Sequence, residues 1–158
     1  HIAGITNTFD QALEKATNSI KDGSALAQFK QLIEDQDGDG NVVNDYSIMD
    51  LAPVKMEIIA QESGYRKSFV NKEIGFMCTE LGGGRKLITD TIDYGVGFYF
   101  HKKVGDVVEK GEALLTMYHR KDQQELAESI CDTFNHKIIE ISKEEVPHIS
   151  VIMDLITE

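Results

Sequence analysis

The chain has 158 residues, 41 % of them hydrophobic, and 16 Lys+Arg against 27 Asp+Glu give it a net charge of −11. Apolar positions recur along the whole length, which excludes a disordered chain and allows one good core, or one core plus a fragment of another. The negative charge excludes nonspecific nucleic-acid binding and attraction to an anionic membrane, because both need cations to neutralise phosphates.

The first predicted element is a helix opened by a capping box, with Thr8 as N-cap and Gln11 answering three positions on. Leu13, Ala16 and Ile20 share its apolar face. Asp22-Gly23-Ser24 interrupts: Gly23 suits a left-handed helix end, and Ser24 is expected to cap a second helix with Leu26, Phe29, Leu32 and Ile33 as its stripe. That helix runs out into the polar stretch Asp35-Gln36-Asp37-Gly38-Asp39-Gly40. Two helices without a strand cannot close a core, so this part needs partners from elsewhere. The boundaries expected are a helical tail over 1–38, a linker over 39–52 and a complete domain over 53–158.

Beyond the linker the period becomes strand-like. Val54, Met56 and Ile58 alternate with Lys55 and Glu57, the pattern of a half-buried strand. Glu62-Ser63-Gly64 turns the chain into a segment from Tyr65 to Val70. Asn71 is expected to cap a short helix carrying Ile74, Met77 and Leu81, which Gly82-Gly83-Gly84 stops. Thr91 to Phe100 reads as one strand with two glycines marking a bend or a close backbone approach. Val104 to Glu112 reads as a tight double turn, Ala113 to Tyr118 as a strand, and Asp122 to Glu125 as a second capping box before a helix with Leu126, Ile130 and Phe134. Lys137 to Ile141 and Ile149 to Leu155 close the chain as strands. The fold class is α+β.

Chemistry-bearing patterns are sparse. Asp35-x-Asp37-x-Asp39-Gly40 resembles the start of a calcium loop, with Val42 at its apolar eighth place. The bidentate glutamate required at the twelfth place is Tyr46, Asp45 is one position off and Val43 offers no ligand, so a solvated linker is the better reading. Cys78 and Cys131 form no C-x-x-C pair and read as reduced thiols of a cytosolic protein. His1, His101, His119, His136 and His148 show no ligand spacing, so no metal site is expected. No nucleophile elbow or H-E-x-x-H motif is present, and no catalytic residue is assigned. The apolar run from Tyr94 to Phe100 falls far short of the ~20 residues of a spanning helix. The opening His1 in place of Met, with no signal-like start, reads as a piece cut from a longer cytoplasmic polypeptide.

Gly82-Gly83-Gly84-Arg85 follows a helix instead of preceding one. A helix C-terminus carries about −0.5 charge, so the glycines read first as a helix stop, with Arg85 and Lys86 complementing the dipole. Val104-Gly105-Asp106-Val107-Val108-Glu109-Lys110-Gly111 resembles turns of biotinyl and lipoyl carrier domains. No lysine sits at a following hairpin tip, and Val54-Lys55-Met56 lies inside an alternating strand. A stand-alone binding or carrier module, modified on Lys55 or Lys121, is therefore the alternative reading.

The order of motifs carries a stronger resemblance. Gly23 to Phe29 with the acidic-Gln-Gly stretch after it, Leu81-Gly82-Gly83-Gly84-Arg85, Asp90-Thr91-Ile92-Asp93-Tyr94-Gly95-Val96-Gly97, and Val104 to Glu112 with Leu114 to His119 after it stand in the order found in thymidine and pyrimidine-nucleoside phosphorylases. The resemblance covers essentially the whole chain and corresponds to the family's C-terminal portion. It implies an α/β-hammerhead domain with a barrel-sandwich-like strand core, preceded by two helices of the upstream catalytic domain. It implies a parent enzyme, a homodimer, that converts thymidine or uridine and inorganic phosphate into free base and pentose 1-phosphate. The family's phosphate-binding and base-reading residues lie upstream and match no position here, so no cofactor is expected and the piece alone should be inactive. What the resemblance leaves for this chain is a cleft-facing loop, Gly82, Gly83, Gly84, Arg85 and Lys86, that steadies domain closure with glycine-freed amides and the Arg85 charge.

Overall fold

In the computed structural model, residues 1–147 are described. The chain divides into two compact units, one from His1 to Met49 and a second from Asp50 onward. No described helix is long and apolar enough to cross a membrane.

The first unit holds α1 (Phe9–Lys21) and α2 (Ser24–Asp35). Thr8 Oγ1 accepts the amide of Gln11 at 3.3 Å, so α1 starts where its capping residue sits. Ser24 is not the cap of α2. With a single glycine between the helices, Gly23 itself takes the N-cap place, and the Asp22 carboxylate accepts the Ser24 amide at 2.9 Å. Two 3-10 turns follow, Gly40–Val43 and Tyr46–Ile48, started by the Asp39 and Asp45 carboxylates on the amides of Asn41 and Ser47. The unit ends at Met49, inside the stretch that the sequence reads as a linker. Neither α1 nor α2 buries a side chain fully: Phe9, Leu13, Ile20, Leu26, Phe29 and Leu32 are all exposed. An amphipathic helix pair with its apolar stripe uncovered supplies little stability of its own.

Among the described residues the second unit contains two three-stranded antiparallel sheets. β1 (Val54–Ile59) and β3 (Gly97–Phe100) flank β5 (Ala113–His119), while β4 (Val107–Val108) and β6 (Glu140–Ser142) flank β2 (Gly64–Ser68). β5 is buried from Leu114 to Met117 and again at His119, as the middle strand of a covered sheet must be. Its register sets Ile58 and Phe100 on either side of Leu115. α3 (Asn71–Glu80) contributes Met77 to the core, joined by Leu81 at its C-cap, and α4 (Gln124–Thr133) contributes Ala127 and Ile130. A small second cluster, Ala60, Val108 and Leu114, joins the two sheets. The fold class is α+β, as the pattern of elements requires.

Four local expectations are corrected. Asn71 is the first residue of α3 and Val70 its N-cap, without a side-chain bond. The strand expected from Thr91 is formed only over Gly97–Phe100, because the Asp93 carboxylate accepts the Gly95 amide at 2.9 Å and turns the chain there. Asp122 does not cap α4; a 3-10 turn over Lys121–Gln123 precedes it, and Gln123 Oε1 accepts the Arg120 amide at 2.9 Å. The strand expected from Lys137 starts only at Glu140, since Phe134–Ile138 continues α4 as a π-helical turn. Phe134 and Ile138 are both buried, and this turn carries the two into one core, which outweighs the β propensity of Ile138 and Ile139. The strand expected over Ile149 to Leu155 lies outside the described residues.

Candidate functional site

The glycine run ends α3 in a Schellman motif. Leu81 is the C-cap, Gly82 adopts a left-handed φ of +98°, its amide donates to Thr79 O at 3.0 Å, and the Gly83 amide donates to Cys78 O at 2.9 Å. Only glycine enters that backbone region without strain, so the helix stop is built into Gly82. The two amides are thereby consumed. The Lys86 and Leu87 amides are also engaged, both donating to Asp90 Oδ2 at 3.0 and 2.8 Å. Of the amides expected to be freed for a ligand, those of Gly82, Gly83, Lys86 and Leu87 are thus taken up within the chain, while those of Gly84 and Arg85 make no hydrogen bond among the described residues. The loop also offers side chains: Arg85 and Lys86 are exposed, and among the described residues neither enters an ion pair.

Below the loop lies a polar network that the sequence did not bring together. The Asp93 amide donates to Gly82 O at 2.9 Å, fixing the loop's start to its end. The Asp93 carboxylate takes a forked pair from Arg120, Nε to Oδ2 at 2.7 Å and a terminal nitrogen to Oδ1 at 2.8 Å. The same terminal nitrogen reaches Asp50 Oδ2 at 3.0 Å. Two parallel charge-assisted bonds define direction as well as strength. They hold the Asp93 carboxyl well below the usual range, at about 2, with the Gly95 amide adding to the effect, while Asp93 and Asp50 raise the Arg120 guanidinium further. Gln123 closes the circuit: Nε2 donates to Leu81 O at 2.8 Å and Oε1 accepts the Arg120 amide. Leu81 O is one of the carbonyls a helix end leaves without an intrahelical partner. A β-carbon on Gly95 would lie 2.1 Å from Asp50 O, so the absence of a side chain there lets the two segments close.

This arrangement holds a loop in place; it does not assemble an acid–base pair. Asp93 is ionised and paired at neutral pH. Among the described residues no three His, Cys, Asp or Glu side chains gather into a metal site, the Asp35–Asp39 stretch included. The described histidines bond close at hand: His1 to Thr6 O, His119 to Arg120 O, His136 to Asp132 O, and His101 to the Thr116 hydroxyl. His148 lies outside the described residues. Burial pushes both thiols, Cys78 and Cys131, up, away from the reactive thiolate. Asp50, Asp93, Arg120 and Gln123 escaped the sequence reading because up to 70 residues separate the partners. The only local signal was Asp93 in its Asp-Thr-Ile-Asp motif.

Residues 65–138, from β2 to the π turn and including the glycine loop, Asp93 and Arg120, match the family model for the pyrimidine nucleoside phosphorylase C-terminal domain. The pyrimidine-nucleoside phosphorylase of Staphylococcus haemolyticus is 37 % identical over 150 residues, covering 87 % of this chain and 35 % of that protein. The Bacillus subtilis protein of the same name is 38 % identical over 132 residues (83 % of this chain, 30 % of its own), and that of Geobacillus stearothermophilus 38 % over 123 residues (78 % and 28 %). The chain thus spans about a third of the length of the curated relatives it matches. Matched in its second unit and similar to these proteins over most of its length, the chain belongs to the pyrimidine-nucleoside phosphorylase family and carries that family's C-terminal domain.

Proposed function

We propose that this chain serves as the C-terminal domain of a phosphorylase that cleaves a pyrimidine nucleoside with inorganic phosphate, and that its part is to steady the closed active-site cleft. The supporting observation is the loop of Gly82, Gly83, Gly84, Arg85 and Lys86, fixed at its base by Asp93 and Gln123, with two exposed cations that pair with nothing among the described residues. In such a reaction phosphate attacks the anomeric carbon while the base departs. The site must hold phosphate in line and exclude the water that would compete with it. A cationic loop on a fixed base contributes to both by meeting an anionic cleft when the domains close.

The groups that touch phosphate and base belong, on this reading, to the part of the relatives' length that this chain does not span. The exposed stripe on α1 and α2 fits packing against that part, since an apolar helix face is stable only when covered. The parent is read as a cytoplasmic homodimer of hammerhead-type architecture, needing no cofactor beyond its co-substrate phosphate.

The test replaces Arg85 by Ala in the full-length phosphorylase. Phosphorolysis of uridine and thymidine is expected to fall about tenfold, the loss of one charge-assisted contact, with the melting temperature unchanged. Unchanged kinetics would remove the role of the loop. Release of uracil from uridine and phosphate by the 158-residue chain alone would overturn the division of labour.

A further inference from the structure

We propose that Arg120 is the positioning residue of the 82–90 loop: its guanidinium fork fixes Asp93, Asp93 fixes the Gly82 carbonyl, and the charged tip follows. The consequence for turnover rests on the function proposed above; the positioning itself does not.

Arg120 is the residue on which both supports of the loop converge. Through its main-chain amide it orients Gln123, whose amide nitrogen holds Leu81 O at the end of α3. Through its side chain it grips Asp93 twice, and Asp93 returns to Gly82 O. A third bond ties Asp50 into the same cluster, and Gly95 lets the Asp50 main chain come this close.

Among the described residues the tip has little else to place it. Leu87 and Ile88 are 66 % and 91 % exposed, and the hydrogen bonds within 85–90 are local ones, made to Asp90 or within its turn. A segment with so few buried contacts opens easily once its base loosens. The fork is also specific to arginine. A lysine in the same place keeps the charge but cannot make two parallel bonds to one carboxylate.

The loop carries its own reporter, because trypsin cleaves after Arg85 and Lys86. In the 158-residue chain, Arg120→Met is expected to speed cleavage at these two bonds about tenfold relative to the Lys110–Gly111 bond of the double turn. Arg120→Lys is expected to speed it by about threefold, and it keeps the test open should the methionine variant fail to fold. Relative cleavage unchanged in the lysine variant, or in both, would overturn the positioning role. In the full-length phosphorylase, Arg120→Lys is expected to lower kcat with little change in KM for nucleoside, a split that general destabilisation would not give. Faster cleavage with unaltered kcat would support the positioning role and refute the cleft function. Slow cleavage with altered kcat would do the reverse.

Discussion

Alanine in place of Gly95 sets a methyl group 2.1 Å from the carbonyl oxygen of Asp50, 2.9 Å from the amide nitrogen of Ala52 and 2.7 Å from a terminal nitrogen of Arg120. Ordinary contacts begin near 3.4 Å, so the main chain at Asp50 must retreat by about 1 Å. It cannot retreat freely, because the Ala52 amide donates to Gly95 O at 2.9 Å and the Ala52 side chain is 2 % exposed within the core. Overpacking of this kind costs about 1–3 kcal/mol, and a lost backbone hydrogen bond about 1 kcal/mol more. The expected loss is about 2–4 kcal/mol, or a melting temperature lower by roughly 5–15 °C. Urea unfolding followed by circular dichroism reads it, provided the slope m is unchanged. Gly75→Ala is the matched control: it lies inside α3 with no atom within 4 Å of the new methyl, so alanine should stabilise by about 0.5–1 kcal/mol. A Gly95→Ala variant within about 0.5 kcal/mol of the parent would refute the close-approach argument.

Arg66 supplies a second prediction. It is fully buried in β2, its guanidinium lies 3.6 Å from the Phe69 ring centroid, and among the described residues its three side-chain nitrogens have no hydrogen-bond partner. Burial pulls it down to about 10, so the folded state holds that proton less tightly than the unfolded chain and stability should rise as pH climbs above about 10. Arg66→Met, which keeps the volume and removes the charge, should be neutral or stabilising by up to about 3 kcal/mol; a loss above about 1 kcal/mol would contradict it. Asp93 gives the opposite sign at the other end of the scale. Its folded carboxyl titrates at about 2 against an ordinary 3.8, so its contribution is complete above about pH 4 and disappears as pH falls through 2. The urea midpoints of the parent chain and Asp93→Asn should therefore differ most at pH 5 and draw together as pH falls towards 2; a constant difference would exclude the ion pair as its source.

Much of the candidate site was legible where it is local. Gly82 ends α3 because the helix stripe of Ile74, Met77 and Leu81 stops beside a run of glycines, and that pattern needs no tertiary information. The exposure of Arg85 and Lys86 follows from the same reading. The fate of the amides did not, because their acceptors, Thr79 O, Cys78 O and the Asp90 carboxylate, are chosen by the path of the chain. The N-cap half of the box at Thr8 survived because Thr8 Oγ1 and the Gln11 amide lie within one turn, whereas Gln11 Oε1 accepts the Asn7 amide at 3.2 Å instead of that of Thr8. The box expected at Asp122 failed because β5 delivers Arg120 one turn earlier, where Gln123 already has two partners.

The periods of 2 and 3.6, the turn residues and the negative charge determined by themselves that this chain is α+β, where its principal strands and helices run, and which family its motifs resemble. Only the tertiary structure decided that Phe134–Ile138 stays coiled, that the 91–96 segment turns instead of extending, and that Asp50, Asp93, Arg120 and Gln123 meet beneath one loop. The reason is range. Helix caps and alternation are set by neighbours a few residues apart, whereas burial at Phe134 and Ile138 and the charge at Asp93 depend on atoms brought from distant parts of the chain, and those contacts exist only once the core has closed.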